Sequence, residues 1–151
     1  MVNDGSEGRG PREPLGRTLV FTAKEMRRAF EQALTAAGGS LGTWVVLSAL
    51  SVEGVVSQAA LASHVHLEGA TITHHVDRLE ALGLVTRVAD PDDRRIRRVT
   101  ITREGEQLHA RLLAAVIELE ALAWAGVSDR DRTALGRSLA RIRSNLDARE
   151  R

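Results

Sequence analysis

The sequence predicts a mainly α fold with one small β hairpin near its middle and long helices at both ends. Three observations carry that expectation. Apolar residues make up 43% of the chain but aromatics only 3%, with no tyrosine, so any core is built from Leu, Val, Ile and Ala, which favours helices over a sandwich or barrel. Apolar residues recur at steps of three and four over long stretches near both termini. Between those stretches, two short apolar-rich runs flank an Asp/Pro/Arg turn, the pattern of a hairpin.

Length and charge narrow the classes further. At 151 residues the chain can bury one hydrophobic core. The absence of cysteine excludes disulfides, thiolate metal ligands and a thiol redox switch, and fits a cytoplasmic location. No apolar run approaches the ~18 residues of a membrane span, and MVNDGSEGRGPREP lacks the apolar stretch of a signal peptide, so no membrane partner is expected. The formal net charge of +1 is uninformative, but its distribution is not. Between Arg87 and Arg103, six arginines face three aspartates, a local excess of three positive charges.

Residues 1–14 are rich in Gly, Pro and charge and read as a disordered tail. From Leu15, the positions Leu19, Ala23, Met26, Phe30 and Leu34 form one helical face until Gly38 and Gly39 stop it, giving an N-terminal helix over 15–39. A second helix begins near Ser40 or Gly42 and carries Trp44, Val45, Leu47 and Leu50 on more than one face, so it is central, with Trp44 a packing residue. Val55 and Val56 read as a very short strand, and Ser57 as the N-cap of a helix through SQAALASHV. After a brief turn at His66 and Leu67 comes a helix over 68–82, with Ile72, Val76 and Leu79 as its buried stripe. Gly83 ends it. LVTRV and RRVTI then form the hairpin, Thr102 caps a helix running to Ala125, and Ser128 caps a last one through Leu135, Leu139, Ile142 and Leu146.

A helix, a short turn and a second helix form the unit whose second member enters a DNA major groove, and here a basic hairpin follows directly. The face opposite the buried stripe presents Ala70, Thr71, Thr73, His74 and Arg78, which offer hydroxyl, imidazole and guanidinium groups to bases and phosphates. Arginines at a hairpin tip serve no core and point to an anionic partner, with Asp93 able to hold one of them in a single rotamer. The expected architecture is therefore a winged helix-turn-helix core over 40–102 with long N- and C-terminal dimerisation helices over 15–39 and 103–151. A middle of about sixty residues cannot cover three long apolar faces. A two-fold homodimer would, and it would place two recognition helices about 34 Å apart on a near-palindromic site.

These motifs resemble the MarR family of winged helix-turn-helix transcription regulators over about residues 15–147. The most specific match is Asp90-Pro-Asp-Asp-Arg-Arg95 followed by Val99-Thr-Ile-Thr102 and Gly105, similar to the family's wing signature. Thr71-Ile-Thr73, Asp77-Arg78-Leu79-Glu80, Gly83-Leu84-Val85 and Trp44-Val-Val-Leu47 support it. The resemblance implies a DNA-binding regulator, expected as a repressor of palindromic operators. Ala70, Thr71, Thr73, His74 and Arg78 would face the major groove and Arg94 and Arg95, with Arg97 beside them and Asp93 orienting them, the minor groove. It further implies a small-molecule effector in a pocket between the DNA-binding and dimer regions, toward which Trp44 and Leu47 are placed, and no cofactor. Glu68, His74 and His75 depart from the family's usual Ser or Thr, Arg and apolar residue.

Two rivals come from other classes. A metal-responsive regulator or metal enzyme would use the five histidines, but His64 and His66 are two apart and His74 and His75 adjacent, not the four-residue step that puts two ligands on one helix face. His109 stands alone. Nothing groups serines and carboxylates into a catalytic set, so neither a catalytic nor a metal site is expected. A winged-helix protein-interaction module would present aromatic anchors, which the helix and hairpin lack.

Overall fold

The computed structural model describes residues 14–54, 56–64, 69–93 and 95–148, without the side chains of residues 64, 69 and 70. The expected tail up to residue 13, Val55, the turn at His66 and Leu67, Glu68 and Arg94 lie outside these residues. Among the described residues, six helices and three strands run in the order α1 (Leu15–Ala36), α2 (Leu41–Glu53), β1 (Val56–Ser57), α3 (Gln58–His64), α4 (Gly69–Ala81), β2 (Val85–Ala89), β3 (Arg97–Ile101), α5 (Arg103–Ala123) and α6 (Asp129–Asp147). The fold is mainly helical with a small antiparallel sheet, as the sequence predicts.

Capping chemistry sets most element boundaries. The Ser40 hydroxyl accepts from Thr43 N at 3.2 Å to start α2, and Ser128 does the same for Asp131 N at 3.2 Å to start α6. Ser57 is both the last residue of β1 and the cap of α3, its hydroxyl accepting from Ala60 N at 3.1 Å. Gly83 takes the left-handed conformation (φ 71°) that closes α4, and Leu84 N donates back to Leu79 O at 2.9 Å.

The sheet order is β1-β3-β2, all antiparallel. The central strand pairs Val99 with Val56 on one side and Arg87 on the other. One core lies beneath it, built from Leu34 of α1, Val46, Leu47 and Leu50 of α2, Leu61, Ile72, Val76, Leu79, Val85, Val99, Leu108 and Leu112. Trp44 is only partly buried at its margin, where it stacks on His109 with ring centroids 5.3 Å apart. Leu47 is fully enclosed in the core.

The chain forms two compact units, Met1–Val116 and Ile117–Arg151. In the first, only the end of α1 is enclosed: Leu34 is buried and Phe30 packs on the core, but Leu15, Val20 and Phe21 are exposed. In the second, the α6 stripe of Leu135, Leu139, Ile142 and Leu146 is exposed along its length. Trp124 and Arg132 close its α5–α6 corner, the guanidinium lying 5.7 Å from the indole centroid and donating to Trp124 O at 2.9 Å. No described helix is by itself long and apolar enough to cross a membrane.

Candidate nucleic-acid interface

On α4 the 3.6-residue period sorts side chains into a buried stripe, an outer stripe and two borders. Ile72, Val76 and Leu79 are buried. Thr71, His74 and Arg78 are exposed together on the opposite side, while the side chain of Ala70 is outside the described residues. Thr73 departs from this set. It is half-buried on one border, where its hydroxyl accepts from Gln58 Nε2 at 2.7 Å. Two residues from Thr71 along a helix is more than half a turn, which is why Thr73 cannot share its direction.

His75 occupies the other border and packs on the first turn of α2. A Cβ at Gly42 would stand 2.2 Å from His75 Cε1, so glycine is what admits the ring. Burial first, then the neighbouring His74 and Arg78, hold its imidazole below the ordinary value of 6.5. Arg27, Glu31, Leu41 and Val45 join His75 around a cleft of about 600 Å³. Trp44 is not among its lining residues. His109, also half-buried, is lowered by burial alone.

The pH consequence has a definite sign. Because the folded chain binds the His75 proton less readily than the unfolded chain, the stability this site contributes is complete above the unfolded value near 6.5 and is lost as pH falls below it. The melting temperature should therefore fall between about pH 7 and about pH 5, and His75→Leu should flatten part of that fall, with His109 supplying a remainder of the same sign. A slope unchanged by His75→Leu would contradict the assignment.

The hairpin is braced internally. Asp90, a buried charged residue, accepts from Asp92 N at 2.8 Å and Asp93 N at 3.2 Å through Oδ1 and from Arg98 Nε through Oδ2. Those main-chain donors and then the Arg98 guanidinium hold its carboxyl below the usual carboxylate value. The Asp93 carboxylate accepts from the Arg95 main-chain N at 2.9 Å, which shapes the turn. Arg94 lies outside the described residues. Arg95 and Arg97 are exposed and, among the described residues, form no ion pair. They line one groove of about 370 Å³ with Ser57 and Gln58.

Arg87 is the contact that sequence reading missed. From β2 it reaches Glu80 Oε2 with Nε at 3.0 Å and a terminal nitrogen at 2.6 Å, and Asp77 Oδ1 at 2.5 Å, while its main-chain N donates to Glu80 Oε1 at 3.2 Å. Those hydrogen bonds hold the Glu80 carboxyl below its usual value. The available signal was two acids three apart on a helix followed by an arginine on the next strand. Gln58 gave no signal at all.

A MarR family profile matches residues 40–96, from the start of α2 into the hairpin. A Bacillus subtilis protein described as an uncharacterized HTH-type transcriptional regulator, YdgJ, is 34% identical over 95 residues, 61% of this chain and 56% of that protein's length. The structure of CouR from Rhodococcus jostii RHA1 bound to p-coumaroyl-CoA is 26% identical and superposes with a TM-score of 0.77 over 89% of this chain and 95% of that one. A mutant MarR from E. coli complexed with operator DNA gives a TM-score of 0.79 over 85% and 93% of the two chains; at 20% identity that likeness is one of fold alone.

Proposed function

We propose that the chain is a MarR-family winged-helix regulator that binds double-stranded DNA as a homodimer and represses transcription from near-palindromic operators in the cytoplasm. One observation carries the reading: the exposed stripe of Thr71, His74 and Arg78 stands beside a hairpin whose Arg95 and Arg97 have no ion pair among the described residues. Exposed cations without internal partners suit phosphates and a narrow minor groove, while the stripe suits base edges. By their places in the sequence, Arg94 and Ala70 belong to the same proposed DNA-contacting set.

The exposed apolar faces of α1 and α6 support the homodimer, since patches of that kind on a soluble chain mark contact surfaces. A small-molecule effector fits the cleft lined by Arg27, Glu31 and His75, because a ligand there would press on a recognition-helix residue. CouR, of the same fold, is bound to p-coumaroyl-CoA, which supports an organic effector here.

The test is to select and sequence duplexes bound by the purified protein. A single enriched palindrome, bound steeply less well as salt rises, is the expected result. No enriched site, or binding indifferent to salt, would count against it. On the same material, the double variant Leu139→Arg with Ile142→Arg should shift the solution mass from dimer to monomer and weaken binding to the selected palindrome by about tenfold or more, since one half-site contact is then lost. A variant that stays dimeric would remove α6 from the interface.

A further inference from the structure

We propose that Gln58 is a positioning residue for DNA recognition, an inference resting on the duplex-binding reading above: its amide joins the wing strand β2 to α4 and fixes the tilt of the groove-facing stripe. The amide of this first residue of α3 makes two contacts in opposite senses. Its Nε2 donates to Thr73 Oγ1 at 2.7 Å, and its Oε1 accepts from a terminal nitrogen of Arg87 at 3.5 Å. The sense of the amide follows from chemistry. Arg87 can only donate, so the oxygen must face it and the nitrogen must face Thr73.

The site suits a side chain that can both donate and accept: a lysine could not accept from Arg87, an aliphatic side chain would make neither bond, and a glutamate would need the Thr73 hydroxyl to turn round and donate. Through Gln58 the Arg87 cluster extends to a third point on α4. Glu80, Asp77 and Thr73 lie along one border of the helix across two turns, roughly 10 Å of its axis at 1.5 Å per residue. A helix pinned only at Asp77 and Glu80 can still pitch about that end. The contact at Thr73, near the start of α4, opposes that motion beside Thr71 and His74, the residues that must meet base edges. On the opposite border, His75 against Gly42 supplies the facing support.

Gln58 also lines the groove shared with Arg95 and Arg97, so direct contact with DNA is the alternative to be separated. The experiment uses the full chain, the duplex chosen by selection and a scrambled duplex of equal length. Gln58→Met keeps the side chain's bulk and removes its hydrogen bonds. It should bind the selected site about 3- to 10-fold more weakly, the range expected for one such hydrogen bond, leave scrambled-duplex affinity unchanged and keep the wild-type salt slope. In a Thr73→Val background the same substitution should have little further effect. Equal losses on both duplexes, a shallower salt slope, or a full effect persisting with Thr73→Val would mean direct contact and overturn the proposal.

Hydrogen exchange in the DNA-free protein reads the joint separately. Gln58→Met should speed exchange at α4 amides, and unchanged exchange would overturn the joint itself. If the wild-type chain bound neither duplex in a salt-dependent way, the duplex reading would fail, and the positioning role with it, even where exchange reveals the joint.

Discussion

Gly105→Ala is expected to destabilise the protein by about 3 kcal/mol or more, beyond the usual cost of one added methyl in a packed core. A Cβ at Gly105 would lie 2.1 Å from Leu84 O and 2.8 Å from Ile101 Cγ1. The first of these is main chain and cannot rotate away. Leu84 O also accepts from Thr102 N at 3.0 Å, and the Thr102 hydroxyl donates to Gly83 O at 2.7 Å while accepting from Gly105 N at 3.1 Å. Relieving the clash therefore means lifting the first turn of α5 from the root of the hairpin and breaking several of these bonds at once. For a chain of this size the melting temperature should fall by roughly 10 °C. Gly136→Ala is the control: nothing lies within 4 Å of the added carbon, and helix propensity favours alanine by up to about 1 kcal/mol. Similar melting temperatures for the two variants would show that the close approach at Gly105 does not exist.

Removing Arg94 and Arg95 together is expected to lower affinity for the selected duplex about 10- to 100-fold at moderate salt and to make the plot of log affinity against log salt shallower by about 1.8, for two phosphates released. Arg95 is exposed and its turn is held by Asp93, so its loss removes charge and leaves the hairpin intact. A double variant with the wild-type slope would sink the wing as a DNA contact. Salt titrations of duplex binding, by anisotropy or gel shift, provide the check. Arg87→Ala offers a contrast: it removes the guanidinium tie between β2 and α4, so affinity should fall with little change in slope.

Much of the fold was legible because periodicity and capping are local. The stripe of Ile72, Val76 and Leu79, the stop at Gly83, the caps at Ser57, Thr102 and Ser128 and both hairpin strands follow from spacing and residue type alone. Border positions on α4 were not legible. Whether Thr73 faces solvent or a neighbour depends on where Gln58 arrives, and that is set by α3 packing, fifteen residues away in sequence. Charge counting failed for a related reason. The local excess of three positive charges treats all six arginines alike, yet Arg87 serves Asp77 and Glu80, and Arg98 serves Asp90. Asp93 also shapes the main chain, since an Asx-type turn brings the Arg95 N–H to its oxygen two residues on, a contact that charge counting does not register. Residue type alone does not say which flank of α2 opens, and one cleft lies by Gly42 and Val45.

The three bonds gathered by Asp90 bear on how fast a partner can be captured. A hairpin tip that had to fold on arrival would slow association and lose ordering entropy at each encounter. Here the turn from Asp90 to Ile96 is already closed, with Asp90 N donating to Ile96 O and Ile96 N to Asp93 O, both at 2.9 Å. Association with an anionic duplex should then be governed by diffusion and long-range attraction, so that added salt slows capture as well as hastening release. Because Asp90 is buried, the brace itself is screened less than the exposed cations it presents, and the hairpin keeps its shape at ionic strengths where its hold on a polyanion is already weak.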